Sequence, residues 1–345
     1  MSTLGQFNET TKPDSVENQT TDNGPTKQSG LLAQIRKGVY FRQAGLLGAL
    51  IVLVVVFSVL QPTFFSVDNA INILVGASVI AIIAMGQAFV IGTSGIDLSV
   101  GSIAALAGVV AAKAMQAGLP IALALLAGVL AGALAGAVNG IIVVTLGITP
   151  FMVTLGTMSI YLGIALTVTN GRPIYNLPAG FSEAMNSNFI GIPAAVWVMV
   201  VVGAVLVLLL RSFTIGEFAL AIGGNEEATR LAGINITAYK IAIYALSGTT
   251  AGIAGLVIVG RLGTGDPTSG SDLLLPAIAA AVMGGASLLG GEASVLGAVL
   301  GAVVITALQT GLTLLGVTTF FQIIAVGVVI IVAVGADRIA ERRIR

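Results

Sequence analysis

From Ala44 to the last ten residues, the chain is a succession of long apolar runs separated by short polar joints. The runs lie at 44–60, 72–93, 100–115, 119–146, 151–168, 194–210, 238–260, 274–290, 294–315 and 319–336. Most approach the ~20 residues that a helix needs to cross a bilayer. The pattern predicts an all-α polytopic membrane protein with about ten transmembrane helices. The run at 119–146 is long enough to tilt, while those at 100–115 and 274–290 are short. Residues 1–30 show the opposite pattern, rich in Thr, Asn, Gln, Ser and Asp with almost no large apolar side chains. They cannot bury enough surface to fold, so a disordered tail is predicted over 1–35, ahead of a transmembrane domain at 36–345. The first apolar run follows Arg36, Lys37 and Arg42, too late and too long for a cleaved signal, and reads as a retained anchor.

Charge fixes the orientation. Only 9% of residues are charged, against roughly a quarter in soluble domains, and the net charge is zero. A zero balance removes any electrostatic case for a nucleic-acid partner. With both termini cytoplasmic, 12 of the 15 basic residues fall in inside segments. Only Lys113, Arg172 and Arg261 fall outside. The positive-inside rule requires such an excess, and an odd number of spans would spoil it at the C-terminus.

Two kinds of residue interrupt the apolar runs. Glycine and alanine recur four apart in AGVLAGALAGAVNG (127–140) and GAVLGAVVITALQTG (297–311), a spacing that lets helix backbones approach closely. Polar side chains are the second kind. AMGQAFVIGTSGIDLSVGS (84–102) carries Asp97 and Ser99 among Gly92, Gly95 and Gly101, and Asn139, Thr154 and Thr157 sit in other runs. Broken backbone survives in a bilayer only inside protein or against a water-filled cavity. The stretch therefore predicts two helices meeting at a joint near the cytoplasmic side, with some spans broken or re-entrant. Asp97 or Ser99 would cap the helix that starts near Val100. A structural reading makes Asp97 a buried cap; a functional one makes Asp97, Ser99, Asn139, Thr154 and Thr157 the lining of a polar route through the membrane. GASLLGG (285–291) partly echoes GIDLSVG (95–101), with Ser287 in place of Asp97.

The longest cytoplasmic connection, 211–240, contains NEEATRLAG. Asn225 can cap a short helix there, Glu226 and Glu227 suit its positive end, and Gly233 can close it. Ala228, Leu231 and Ala232 form one apolar face with Arg230 beside them. A helix of about two turns is marginal alone and is held by docking, either onto the bundle or onto a partner. The longest external segment contains NGRPIYNLP, with Arg172, Pro173 and Tyr175, and its prolines stiffen a candidate docking surface.

GGNEEATRLAGI resembles the cytoplasmic coupling motif of the sugar permeases of ATP-binding-cassette importers, the group typified by ribose permeases and akin to branched-chain amino acid permeases. GIDLSVGS, NGIIVVTLGITPFMVTLGTMSIYLG, NGRPI, YALSGTTAGIAGLV and MGGASLLGG resemble that family's blocks in the family's order. The resemblance covers nearly everything after residue 40. It implies a multi-pass subunit of a bacterial cytoplasmic membrane, and partner ATPase subunits that bind ATP and Mg. An extracytoplasmic sugar-binding protein and a second permease copy, identical or sister, would complete the assembly. It places ATPase coupling on Asn225, Glu226, Glu227, Arg230, Leu231 and Gly233. Receptor docking would fall on Arg172, Pro173 and Tyr175. Where the family commonly has an acidic residue ahead of AIAA, this chain has Leu274 and Pro276, which points to a subgroup not centred on ribose.

The motifs that are absent agree with a borrowed energy source. The chain has no Cys and no His, so thiol nucleophiles, imidazole bases and the usual zinc or haem ligands are excluded, and no catalytic residue is expected. No phosphate-cradling G-x-x-x-x-G-K-[ST] occurs, so no cofactor is expected in this chain. The expected function is a permease for a monosaccharide or related polyol. The alternatives are a branched-chain amino acid or nucleoside permease of the same superfamily and, from another class, a self-sufficient secondary transporter.

Overall fold

A computed structural model describes the backbone of residues 26–344 and the side chains of 43–332 and 335. The chain divides into Met1–Gly38 and Val39–Arg345. In the first unit, the described part is the start of helix α1 (Thr26–Leu60). The tail predicted over 1–35 falls within this first unit. Its first 25 residues lie outside the described ones.

The second unit is a helical bundle. After a short 3-10 turn at Pro62–Phe64 come α2 (Val67–Gly92), α3 (Val100–Gln116), α4 (Ile121–Leu146) and α5 (Pro150–Thr169). Helix α6 (Ala179–Asn186) and a two-residue hairpin, β1 (Asn188–Phe189) with β2 (Ile192–Pro193), then precede α7 (Ala194–Ser212). Helices α8 (Thr214–Gly224), α9 (Glu226–Leu231), α10 (Ile236–Leu262), α11 (Leu274–Met283), α12 (Val295–Leu314) and α13 (Thr319–Ile344) complete the order. Among the described residues, 7 helices are long and apolar enough to cross a membrane: Gln43–Leu60 of α1, then α2, α4, α5, α7, α10 and α12. The other three predicted runs form shorter apolar helices, α3, α11 and Thr319–Val332 of α13.

The run expected as one span at 274–290 is corrected. Its helix stops at Met283, and the rest is irregular chain. Gly285, Gly290 and Gly291 there take positive φ, which no continuous helix tolerates. A ten-residue helix rises only ~15 Å, about half the hydrocarbon core.

Helix α2 is the centre of the bundle. It is apolar on every side and buried without interruption from Ala77 to Gly92, as expected of a helix enclosed by others. Beside it, α4 and α10 form a seam. Gly128, Gly132, Gly136 and Gly140 recur every fourth residue and all face α10. A Cβ on Gly132 would strike the Gly248 carbonyl, one on Gly136 the Tyr244 carbonyl, and one on Gly140 would come 2.7 Å from Cα of Ile241. From the other side, Gly248 meets the Gly132 carbonyl. Close backbone contact replaces the hydrophobic drive that lipid removes. Further along, Gly297 lies against Gly284, and Gly301 against the Ala280 carbonyl.

Both ends of the bundle carry elements that the apolar pattern did not reveal. On one end, α6 packs its buried Phe181 near Gly260, and Ile174 exchanges backbone hydrogen bonds with Gly265 (3.0 and 2.9 Å). The hairpin turns through Ile190 (φ 56°) and Gly191 (φ 74°). Two successive positive φ angles match the right-handed twist of paired strands. For a β-branched residue that conformation costs about 1–2 kcal/mol. On the other end, α8 precedes α9, and Phe218 meets Tyr239 of α10 edge to face at 4.8 Å.

The seam predicts that Gly136→Val, which would push α4 off the Tyr244 carbonyl, destabilises the detergent-solubilised protein by about 3 kcal/mol or more. Gly156→Val on α5, where the glycine faces open space, is expected to cost less than about 1 kcal/mol. Thermal unfolding of the two variants side by side checks the contrast, and equal midpoints would refute the seam.

Candidate functional site

The chain between α2 and α3 is the predicted joint. Helix α2 ends at Gly92, Ser94 turns through positive φ (63°), and α3 starts at Val100. Gly95 is required because the Tyr244 hydroxyl lies 2.8 Å from where a Cβ would stand. Asp97 is fully buried. Its Oδ1 accepts the Ser99 backbone N–H at 3.0 Å and the Ser99 hydroxyl at 2.6 Å. Its Oδ2 accepts from Ser247 Oγ of α10 at 3.2 Å. Gln87 Nε2 of α2 donates to its carbonyl at 3.3 Å. The cap expected of Asp97 or Ser99 is thus corrected. Asp97 closes an Asx turn two residues before the cap position, and Ser99, at that position, makes no side-chain cap bond.

From Ser99 the network spreads to two more helices. Asn139 Nδ2 of α4 donates to Ser99 Oγ at 2.7 Å. The Tyr161 hydroxyl of α5 faces Asn139 Oδ1 at 3.0 Å and the Ala135 carbonyl at 2.8 Å. Thr154 Oγ1 sits between the carbonyls of Pro150 (2.9 Å) and Ile96 (3.2 Å), tying α5 to the joint. Of the five predicted lining residues, Asp97, Ser99 and Asn139 are joined directly and Thr154 touches the same turn. Thr157 bonds only within α5, to the Thr154 carbonyl at 3.3 Å. All five are buried inside this one chain. Sequence reasoning missed Gln87, Tyr161 and Ser247. Their signal was the one used for Asn139, a polar side chain in an apolar run. Among the described residues no basic side chain pairs with Asp97; its carboxylate rests on hydroxyls and amides alone.

The joint is also spliced to two other segments. Ser94 Oγ lies 3.1 Å from the Gly223 carbonyl, at the end of α8, and 2.8 Å from the Leu289 carbonyl. Gly291 N–H donates to the Gly92 carbonyl at 3.0 Å. The two stretches whose sequences echo each other, 95–101 and 285–291, belong to neighbouring loops.

Three residues beyond Gly223 begins the short helix α9, built as the sequence predicts. Asn225 Oδ1 accepts the Ala228 N–H at 2.9 Å. Gly233 takes φ 82°, and Ile234 N–H reaches back to the Thr229 carbonyl at 3.4 Å. Arg230 pairs with Glu227 at 2.9 Å and Glu226 at 3.3 Å, and Lys240 of α10 pairs with Glu226 at 2.7 Å. Thr229 faces inward, while Ala228, Leu231 and Ala232 stand in the open, with Leu231 81% exposed. Beside α9 a groove of about 570 Å³ runs to the α4–α5 turn, lined by Gly147, Thr149, Glu226, Arg230, Asn235 and Lys240. At the opposite end Arg172 and Tyr175 are exposed and Pro173 is half-buried, beside Ile174 and its bridge to Gly265.

A helical bundle closed around a joint of hydroxyls, amides and one carboxylate, with a short helix standing proud at one end, is that of a multi-pass membrane permease. The chain belongs to the family described as branched-chain amino acid transport system / permease component, which it matches over residues 69–334. It is 44% identical over 296 residues to the ribose import permease protein of Haemophilus influenzae, covering 84% of this chain and 91% of that protein. With the ribose import permease protein of Escherichia coli K12 it shares 41% identity over 310 residues, 86% of this chain and 96% of the relative. With the D-allose transport system permease protein of the same organism it shares 36% over 306 residues, 88% and 94% of the two chains. No solved structure matches the chain significantly.

The network predicts an order among substitutions at Asp97. Asp97→Ala strands Ser99, Ser247 and a backbone N–H at once and is expected to cost about 3 kcal/mol or more. Asp97→Asn keeps an oxygen for Ser99 and should cost less than half as much. Thermal unfolding in detergent tests the order, and Asp97→Ala melting with wild type would remove the joint from the fold's supports.

Proposed function

We propose that this chain is the membrane-spanning subunit of an ATP-driven importer, carrying a monosaccharide or related polyol across a bacterial cytoplasmic membrane. The observation that carries the reading is the likeness to ribose and D-allose permeases, 36–44% identical over at least 84% of the chain. A secondary transporter is disfavoured by the family, and the exposed helix α9 has no role in one.

In this reading ATP and Mg are held by partner ATPase subunits, a sugar-binding protein delivers the substrate, and a second permease copy completes the membrane part. Helix α9 is the peg that enters an ATPase groove. Its exposed Ala228, Leu231 and Ala232 supply contact. Glu226, Glu227 and Arg230 hold one another in place and offer a charged rim. The bonds around Ser94 support a route for the motion. Asn225, which caps α9, stands two residues from Gly223, whose carbonyl faces Ser94, and Ser94 stands three residues from Asp97. A shift of α9 therefore pulls on the joint through a single side chain, the Ser94 hydroxyl held by the Gly223 carbonyl. Asp97, Ser99, Asn139, Thr154 and Thr157 would border the route in the state in which that joint opens. Arg172, Pro173 and Tyr175, at the end away from α9, would meet the sugar-binding protein.

Reconstitution with the ATPase and binding protein tests the coupling. Gly233→Val forces a β-branched residue into positive φ, and Glu227→Lys breaks the Arg230 pair and opposes the helix dipole by about 1 kcal/mol. Both variants are expected to insert and to receive loaded receptor, yet to lose receptor-stimulated ATP hydrolysis and sugar uptake by about tenfold or more. Wild-type coupling in the double variant would place the peg elsewhere.

The lining is tested by cysteine replacement, which is clean because the chain has no Cys. The five positions are expected to react with aqueous thiol reagents in one nucleotide state and resist them in another. Resistance in every state would make the cluster structural only.

A further inference from the structure

We infer that the β1–β2 hairpin is a lipid anchor: its tip, Phe189 and Ile190, enters the bilayer surface beside Trp197 at the α6 end of the bundle. Phe189 and Ile190 are 64% and 78% exposed. Exposure of one apolar residue is ordinary, but Ile190 also occupies a turn position that favours Asn or Gly. A β-branched apolar residue held there is strained and gains nothing from water.

What lies beside the tip identifies its surroundings. The Trp197 ring meets the Phe189 ring edge to face, with centroids 5.8 Å apart, and its indole N–H donates to the Phe189 carbonyl at 3.2 Å. Trp197 stands in the first turn of α7, on the side opposite the buried Ala195, Met199 and Leu206. Val201, Val205 and Leu208 continue that exposed side along the span. A helix long and apolar enough to cross a membrane, with such a face uncovered, turns that face to acyl chains. Phe189 and Ile190 therefore extend a lipid-facing stripe past the helix end. A Trp with an apolar ring and a satisfied N–H at that point is the side chain that settles at a membrane–water boundary. The apolar tip and Trp197 together fit acyl carbons just below the headgroups. Arg172 and Tyr175, earlier in the same segment, remain free for a protein partner.

The test uses the only Trp of the chain as its own probe. The full-length protein is reconstituted in phosphatidylcholine vesicles brominated either high or low on the acyl chain, and Trp197 emission is recorded. A lipid anchor gives blue-shifted emission and at least about twofold stronger quenching by the high-placed bromine than by the low-placed one. Aqueous iodide then quenches weakly. In Phe189→Ser/Ile190→Asn, with helix content and melting unchanged, emission moves to the red and quenching passes from bromolipid to iodide. If the variant does not fold, the wild-type depth profile decides alone. Strong iodide quenching that added sugar-binding protein suppresses would make the tip a receptor contact and overturn the inference. Resistance to both quenchers would place Trp197 against a second permease copy, which overturns it equally.

Discussion

A backbone that leaves the helix inside a bilayer has no water to turn to, and residues 93–99 do so at the end of α2, buried without interruption from Ala77 to Gly92. The packing of several helices can be traced to how that stretch is satisfied. Asp97 supplies acceptors for one backbone N–H and two hydroxyls, Gln87 and Thr154 reach carbonyls in the turn, and Gly92 and Ser94 bind to loops far away in sequence. The helices that bring those partners, α4, α5, α8 and α10, must lie close. Glycine at the α4–α10 contact is what allows two of them to approach near enough for Asn139 and Ser247 to serve the same turn.

The same arrangement explains why a carboxylate is tolerated without a basic partner. A charged pair in the core would need its own solvation shell of polar groups, and desolvating it costs as much as it returns. Here the donors are already required by the turn. One side chain completes a backbone turn, fixes the start of α3 and links α10 to α4 through Ser99. Removal of charge elsewhere in the interior leaves the rest of the bundle free to pack on shape alone.

Much of this was legible in the sequence, for reasons that can be named. The long spans were readable because bilayer thickness sets their length, and α9 because Asn225 and Gly233 mark both of its ends chemically. Asp97, Ser99 and Asn139 stood out as polar groups in apolar surroundings. Thr157 stood out equally and joins nothing outside its own helix, since a threonine can satisfy itself on a carbonyl of the preceding turn. Ser247 was missed because a serine in a helix usually does just that, and Tyr161 because an aromatic ring in an apolar run reads as packing. The run at 274–290 was read as one span because Leu288 and Leu289 keep its hydropathy high, while the paired glycines on either side break it. Helix α6 and the hairpin left no periodic signal, being two turns of mixed polarity and a turn whose Ile190–Gly191 pair lacks the usual Asn or Asp.

The glycine seam also has a meaning for how such a chain can change over time. Along α4 and α10 each helix recognises mainly main-chain atoms of the other, so the contact has little side-chain vocabulary in which a substitution here could be answered by one there. Alanine, the smallest step away from glycine, already collides at Gly132, Gly136 and Gly248. The lipid-facing positions can exchange Leu, Ile and Val freely, since hydrocarbon accepts them all alike. The seam has almost no neutral neighbours in sequence space. Divergence in a protein of this build is therefore channelled to its outer surface and its ends, while the line along which two backbones touch stays nearly fixed.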